Sequence, residues 1–598
     1  MKRILLSVIS IAFWLILLVS VSAAAIQVDN TVTIADPNTQ ILHVVTIIKG
    51  INQPQLQVAL PVWTPGHYAI EDYARNLSHL IFTNQSGQSL YHQKIKDSTW
   101  VIETRGASET KIEYDYLANS YSTNRSKITP TYALLNGSNF FFYLPGHTTD
   151  VPATVTFKLP DGWQIATGMP AAANPNSFTA ENFDALADCP FLAGQIDYLT
   201  FQLRGVEHHL AIAPKGIVES AVLDKYSTDT MKMIDTQISV FREIPYKSYT
   251  AINVFAEDGI GALEHSNSYV AIVPKQYAKA ESINVLISST AHEFFHAYNV
   301  KRIRPAEMFP YRYNERNYTP LLWVSEGITS YYTTRGMLRA GFVKREDYLP
   351  SCARLLSQVQ SDPAAGFISV EEASISTWLD SLPSGDSRRF TVDYYSRGSV
   401  IGLLLDLSIR HDTNNRASLD DVMRSLYSDY YKKNKGFTTA DLVGIINRIT
   451  GKDYNAFFKK YVGGTEPLPY DEVLSYAGLK LQSDKRQVVS FGFRINGNKT
   501  ITTVIPGGVG EAAGAKIGDV LLGVGNFNVG QDNWIAEFRK YYQNRVGETA
   551  TMYVLRDGKP VYLTLKIALE EVTTWKLEQL PNPDKLQQDL LNGWREGQ

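Results

Sequence analysis

Cysteine is nearly absent from this chain: Cys189 and Cys352 are the only two in 598 residues. So small a number excludes a disulfide framework or a cysteine metal cluster, and leaves room for one disulfide at most, whose formation the sequence leaves open. An excess of charge is also missing. Net charge is −3, so no basic field argues for nucleic acid or anionic lipid as a partner. After Val21 no run of 18 apolar residues recurs, which argues against a later membrane-spanning helix. Internal repeats and low-complexity tracts are lacking. A composition of 44% hydrophobic and 20% charged residues is ordinary for globular protein, and the length implies about three or four domains.

The first segment present bears on compartment. Lys2 and Arg3 precede an apolar run from Ile4 to Val21, and Ser22-Ala23-Ala24-Ala25 follows as a small-residue cleavage region. This order reads as a secretory signal peptide over residues 1–25 and implies export to a periplasm or the exterior. The apolar run is also long enough to span a bilayer, so an uncleaved membrane anchor is the alternative. Residues 26–205 read as all-β. Leu56, Val58 and Leu60 alternate, as do Ile112, Tyr114 and Tyr116, and Val155, Phe157 and Leu159, with Pro65-Gly66, Pro145-Gly146 and Asp161-Gly162 as turns. A β-sandwich-like support is expected there. Residues 206–470 become mainly helical after a short β-rich stretch. Met231, Ile234, Ile238 and Phe241 share one helical face, Ser418 starts a capped helix through Tyr430, and Ser399–Ile409 predicts a buried helix. Residues 475–570 return to short strands, with Asp557-Gly558 as a hairpin turn. Residues 571–598 read as a polar tail, at most a loose helix. The whole is a multidomain α+β chain.

Chemistry concentrates at His292-Glu293-Phe294-Phe295-His296. On a helix expected to begin near Ser288, imidazoles four residues apart lie on one face and can share one Zn²⁺. Glu293, rotated around the helix, can reach the ion's water without ligating and suits a general base. Zinc then needs a third protein ligand. Glu326 sits in an apolar, aromatic flank (Leu322 to Tyr332), where a buried carboxylate demands a partner. Its rival Glu315 has a commoner spacing but lies among Arg312, Asn314, Arg316 and Asn317. Glu326 is the expected ligand, and the stretch between reads as a loop rich in basic residues, including Lys301, Arg302 and Arg304. Upstream, Gly259-Ile260-Gly261-Ala262-Leu263-Glu264-His265 reads as a glycine-rich edge strand whose backbone can pair with a peptide, with Glu264 holding the peptide's α-amino group. Downstream, Tyr395 is the expected oxyanion donor, with Tyr394 and Tyr332 as substitutes.

These motifs together resemble zinc aminopeptidases of the gluzincin clan. Leu60-Pro61-Val62-Trp63-Thr64-Pro65-Gly66 and Asn299-Val300-Lys301-Arg302-Ile303-Arg304-Pro305 narrow the resemblance to metallopeptidase family 61, the glycyl aminopeptidases. The resemblance implies a thermolysin-like catalytic domain behind an N-terminal β-domain, one zinc on His292, His296 and Glu326, and removal of N-terminal Gly and Ala from peptides with a free amino terminus. It departs from the wider clan in carrying His265 where Asn is usual, which bears on the amine site. The segment 475–570 resembles a PDZ domain, with Phe491-Gly492-Phe493 where such domains hold a peptide C-terminus. Two other readings stand beside the exopeptidase: an endopeptidase with an open groove, and a catalytically weak peptide-binding or quality-control protein.

Overall fold

The structure is a computed structural model that describes residues 25–257, 261–379 and 391–597. The signal-like segment up to Ala24, and Gly259 and Ile260, lie outside the described residues. The chain forms two compact units. One comprises residues up to Val343 with Pro363–Leu468 and Gly593 onward; the other comprises Lys344–Asp362 with Pro469–Asn592.

In the first unit the N-terminal region is β-rich. Strands Gln27–Thr33, Ile41–Lys49, Leu77–Asn84, Glu109–Leu117, Ala153–Lys158 and Ser177–Ala180 form a six-stranded sheet, and Gln55–Ala59, His92–Lys96 and Thr99–Glu103 a three-stranded one. Alternation sends Val44, Ile112 and Tyr114 of the larger sheet and Val58 and Ile102 of the smaller into one core. Met308, Tyr311, Tyr313, Leu322 and Trp378, from far downstream, belong to the same core. They gather around fully buried Trp63, whose ring meets Tyr311 edge-on at 5.5 Å and Trp378 at 5.3 Å.

Next comes a five-stranded mixed sheet: β1 (Asp197–Leu203), β2 (Val206–Ala213), β3 (Ser248–Ala256), β4 (Gly261–His265) and β5 (Ser268–Pro274), in the order β1-β2-β3-β5-β4. The boundary read at residue 205 falls inside the β1–β2 hairpin, because β1 is hydrogen-bonded to β2 along its length. β4 pairs antiparallel with β5 and is the sheet edge. Helix α1 (Ser220–Phe241) buries Ile234, Ile238 and Phe241 as expected, but Met233 rather than Met231 turns inward. Helix α2 spans Asn284–Phe295. It starts before Ser288 because Asn284–Ile287 form its first turn, with Ile283 as N-cap; so short a mainly apolar stretch has no periodicity to mark it as helix.

A π-helical turn (Trp323–Ile328) leads into α3 (Thr329–Arg339), followed by α4 (Tyr394–Asp412) and α5 (Leu419–Asp429), the last with the expected capping box of Ser418 and Asp421. α4 is buried from Arg397 to Arg410. A buried ionic cluster joins these three helices. Arg335 reaches Asp420 at 2.8 Å and Asp406 at 3.3 Å, Tyr332 donates to Asp420 at 2.8 Å, Tyr331 donates to Asp406, and Arg410 donates to Asp406 at 3.2 Å.

The second unit holds a four-stranded sheet, Phe527–Asn528, Val520–Val524, Thr549–Arg556 and Lys559–Lys566, beside the short pair Phe493–Ile495 and Ile501–Val504. Asp557 and Gly558 take positive φ of 50° and 75° and close the expected hairpin. The tail is not loose. Leu569–Gln579 is a strand along Leu479–Val489, and Lys585–Glu596 is a helix on which Leu590 and Leu591 are buried. The strand's partner lies about ninety residues upstream, so no local pattern announces it.

Burial alone would push the Asp420 carboxyl up, but Arg335 and Arg339 outweigh it and hold the group well below the usual carboxylate range. A lowered native pKa adds stability that is complete above the unfolded value near ~4 and drains away as pH falls below it. Arg335→Ala leaves two carboxylates buried beside each other. It should lower unfolding free energy by about 3–5 kcal/mol in urea titrations, and the variant should lose less further stability than the parent on acidification below pH about 4.

Candidate metal centre

The last turn of α2 presents His292, Glu293 and His296, the last as its C-terminal cap. The two imidazole centroids stand 4.7 Å apart. Their Nε2 atoms lie 3.6 Å (His292) and 3.3 Å (His296) from Oε2 of Glu326. Three donors of imidazole and carboxylate type, mutually within 4.8 Å, fit a divalent ion of the zinc kind with a position left open. The opposite ring nitrogens are tied back. His296 Nδ1 donates to the Asn299 carbonyl at 2.6 Å, and His292 Nδ1 is hydrogen-bonded to the Thr333 hydroxyl at 3.2 Å. Both ties turn Nε2 toward the shared point.

Glu326 sits on the π-helical turn, a distortion that often marks functional sites. Asn299 braces this turn: its side-chain amide donates to the carbonyls of Val324 at 2.9 Å and Ser325 at 3.3 Å and to Thr329 at 3.1 Å. Gly327 and Gly398 let the turn and α4 meet backbone to backbone; a Cβ on Gly327 would stand 2.5 Å from Gly398 Cα. That approach sets Tyr395 beside His292, ring centroids 6.3 Å apart. Of its substitutes, Tyr394 is hydrogen-bonded to Thr377 and Tyr332 donates to Asp420. Glu315 is exposed and paired with Arg312 at 2.6 Å, outside the cluster.

Glu264 is buried at the sheet edge, and its carboxylate shares a second grouping of donors, within 4.8 Å, with Glu293 and His296. Gly261 and Ala262 precede it on β4, which among the described residues pairs only with β5. His265 instead lies on Asp188, Nδ1 to Oδ1 3.4 Å. The basic residues expected in a loop are buried struts. Lys301 Nζ lies 2.9 Å from Asp188, 3.5 Å from Glu264 and 3.2 Å from the Pro65 carbonyl. Arg302 donates to the carbonyls of Ser266 and Ala297, and Arg304 to Asp184 while its guanidinium lies 3.9 Å from the Tyr311 ring centre.

Electrostatically the site is crowded with acids. Burial pushes Glu293 up to about 8, Glu264 and Glu326 adding to the rise while His296 opposes it. Burial would raise Glu326 as well, but both imidazoles reverse this and hold its carboxyl well below the usual range. Burial pulls His296 down, yet the Glu326 charge carries it up to about 9. His292 is lowered by burial.

Residues from the β-rich N-terminal region also reach the centre, which sequence reasoning did not foresee. The Tyr68 hydroxyl donates to Glu326 Oε1 at 3.4 Å, and the Glu264 carboxylate packs on Gly66, where a Cβ would come within 2.5 Å of it. Asp188 anchors the β4–β5 turn through the Ser266 amide and hydroxyl. Gly66 closes the stretch Trp63-Thr64-Pro65-Gly66, which served only as a family marker, and Tyr68 lies two residues beyond it.

In the second unit, Phe491-Gly492-Phe493 is held by local contacts. The Gly492 amide donates to Ser490 at 3.0 Å, Gly492 packs against the Gly510 backbone, and Phe491 stacks on Phe538. Cys189 and Cys352 are both buried free thiols.

Residues 29–195 match the family model described as the Peptidase M61 N-terminal domain, and residues 285–401 that described as M61 glycyl aminopeptidase. No curated protein matches the chain. Among solved structures, an aminopeptidase N family protein from Idiomarina loihiensis is similar over 95% of this chain and all of its own, at 24% identity and a TM-score of 0.83, a likeness of fold. An M1 zinc metallopeptidase mutant of Deinococcus radiodurans, solved with a Tyr-Ser-Ala substrate, shares 13% identity at a TM-score of 0.47, over 75% of this chain and 96% of its own.

Asn299→Ala removes the brace between the two halves of the centre. Zinc affinity, measured against a competing chromophoric chelator, should fall about 10- to 100-fold with far-UV circular dichroism unchanged; parent affinity would show that the turn holds itself.

Proposed function

We propose that this chain, a zinc metallopeptidase carrying the N-terminal and catalytic domains of the M61 peptidases, is an aminopeptidase that removes small N-terminal residues, chiefly Gly and Ala, with Glu293 as general base. The observation that carries this reading is the place of Glu264. Its carboxylate is buried beside Glu293 and His296 at the end of an edge strand. A peptide paired with Gly261 and Ala262 would therefore present its ammonium group to Glu264 and place its first peptide bond beside the metal ligands.

One zinc held by His292, His296 and Glu326 would polarise the scissile carbonyl and a water. Glu293, raised by burial and close to the ligands, accepts the proton of that water and returns it to the leaving amine. Tyr395 donates to the oxygen on which negative charge develops. Glu264 fixes the free amine, so chains lacking one are poor substrates. Gly66 lies against the Glu264 carboxylate, close enough that a Cβ there would collide with it. The Lys2–Ala25 pattern supports export, with the enzyme either released or held by an N-terminal anchor.

Anilides of Gly and Ala should be hydrolysed, and a chelator should abolish turnover reversibly by zinc. Glu293→Gln should keep its zinc while kcat falls about 100- to 10,000-fold. N-acetylated peptides should resist cleavage; cutting them as fast as free ones would make the protein an endopeptidase.

A further inference from the structure

Glu326 divides its two oxygens between different neighbours. Oε2 faces both histidines, at 3.6 and 3.3 Å, and Oε1 receives the Tyr68 hydroxyl at 3.4 Å. Tyr68 is itself held. Its ring meets Trp378 edge-on at 6.0 Å, and Trp378 packs on Trp63 at 5.3 Å, in the core shared by the N-terminal strands and the downstream loops. The segment that delivers it is fixed on both sides: the Val62 amide donates to the Tyr313 carbonyl at 2.8 Å, and the Pro65 carbonyl accepts from Lys301 at 3.2 Å. Tyr68 is 8% exposed, so its hydroxyl reaches Glu326 with little competition from water.

We propose that Tyr68 is a positioning residue for the metal ligand Glu326, supplied by the N-terminal β-region: its hydroxyl engages Oε1, leaves Oε2 alone to face the ion, and so keeps the carboxylate monodentate. A carboxylate free to swing both oxygens onto the ion would occupy the position that water and the substrate carbonyl need. An outer hydrogen bond to a ligating carboxylate fixes its orientation, and loss of such bonds typically weakens metal binding about 10- to 100-fold. The catalytic helices alone thus form an incomplete metal centre, and the N-terminal region contributes a working group to it.

The inference rests on Glu326 being a ligand, and the test separates the two claims. Zinc affinity and the visible spectrum of the cobalt(II)-substituted full-length protein are measured for the parent, for Tyr68→Phe, and for protein with 3-fluorotyrosine at position 68, which keeps the hydroxyl. Tyr68→Phe should bind zinc about 10- to 100-fold more weakly and shift the cobalt d–d bands toward higher coordination number, while its metal-free melting temperature stays at the parent value. The fluorotyrosine protein should match the parent in both readouts. An unchanged affinity and cobalt spectrum in Tyr68→Phe overturns the role of Tyr68, and so does an equal loss in the fluorotyrosine protein, which would assign the effect to ring packing. A parent that binds no zinc would instead overturn the metal reading itself.

Discussion

Three carboxylates, Glu264, Glu293 and Glu326, are buried within a few ångströms of two imidazoles. Buried charge on this scale is costly unless each group finds a partner. Glu326 finds both histidines and Tyr68; Glu264 has Lys301 at its flank, itself held by Asp188. Glu293 has His296 and Lys301 working against its burial and two neighbouring carboxylates, and burial prevails, so its carboxyl is raised. The raised carboxyl belongs to the group whose proposed task is to pick up and release a proton. A divalent ion adds the positive charge that the remaining acids call for.

This constraint explains why the segment after α2 is so heavily used. From Asn299 to Arg304, four side chains each brace a different neighbour: Asn299 the turn bearing Glu326, Lys301 the Glu264 carboxylate and Asp188, Arg302 the β4–β5 turn and Arg304 Asp184. A run of cations that would read as solvated surface is buried because each head finds carbonyls or carboxylates within hydrogen-bond reach. The Gly327–Gly398 contact does the same work with backbone, setting α4 and Tyr395 by an approach that any side chain would block.

The N-terminal region is thereby more than a support. Trp63 joins its core to the loops that follow α2, and three residues beyond it begin the contacts of Gly66 and Tyr68 with two of the buried acids. That the first matched family region and the catalytic one meet at the metal centre gives a physical reason for the two to be carried in one chain.

Much of the centre was legible in the amino-acid order, because helical periodicity alone sets His292 and His296 on one face and an apolar flank alone marks Glu326 as buried. The alternating strands, the capped helix after Ser418 and the hairpin at Asp557-Gly558 were legible for the same reason: their causes are local. Tyr68 and Gly66 at the acids, the burial of Lys301 and the strand Leu569–Gln579 were decided only by the tertiary structure. Each depends on a partner remote in sequence, up to 258 residues away for Tyr68 and Glu326, and a contact across that separation leaves no periodicity or spacing to read; it exists only once the chain has packed.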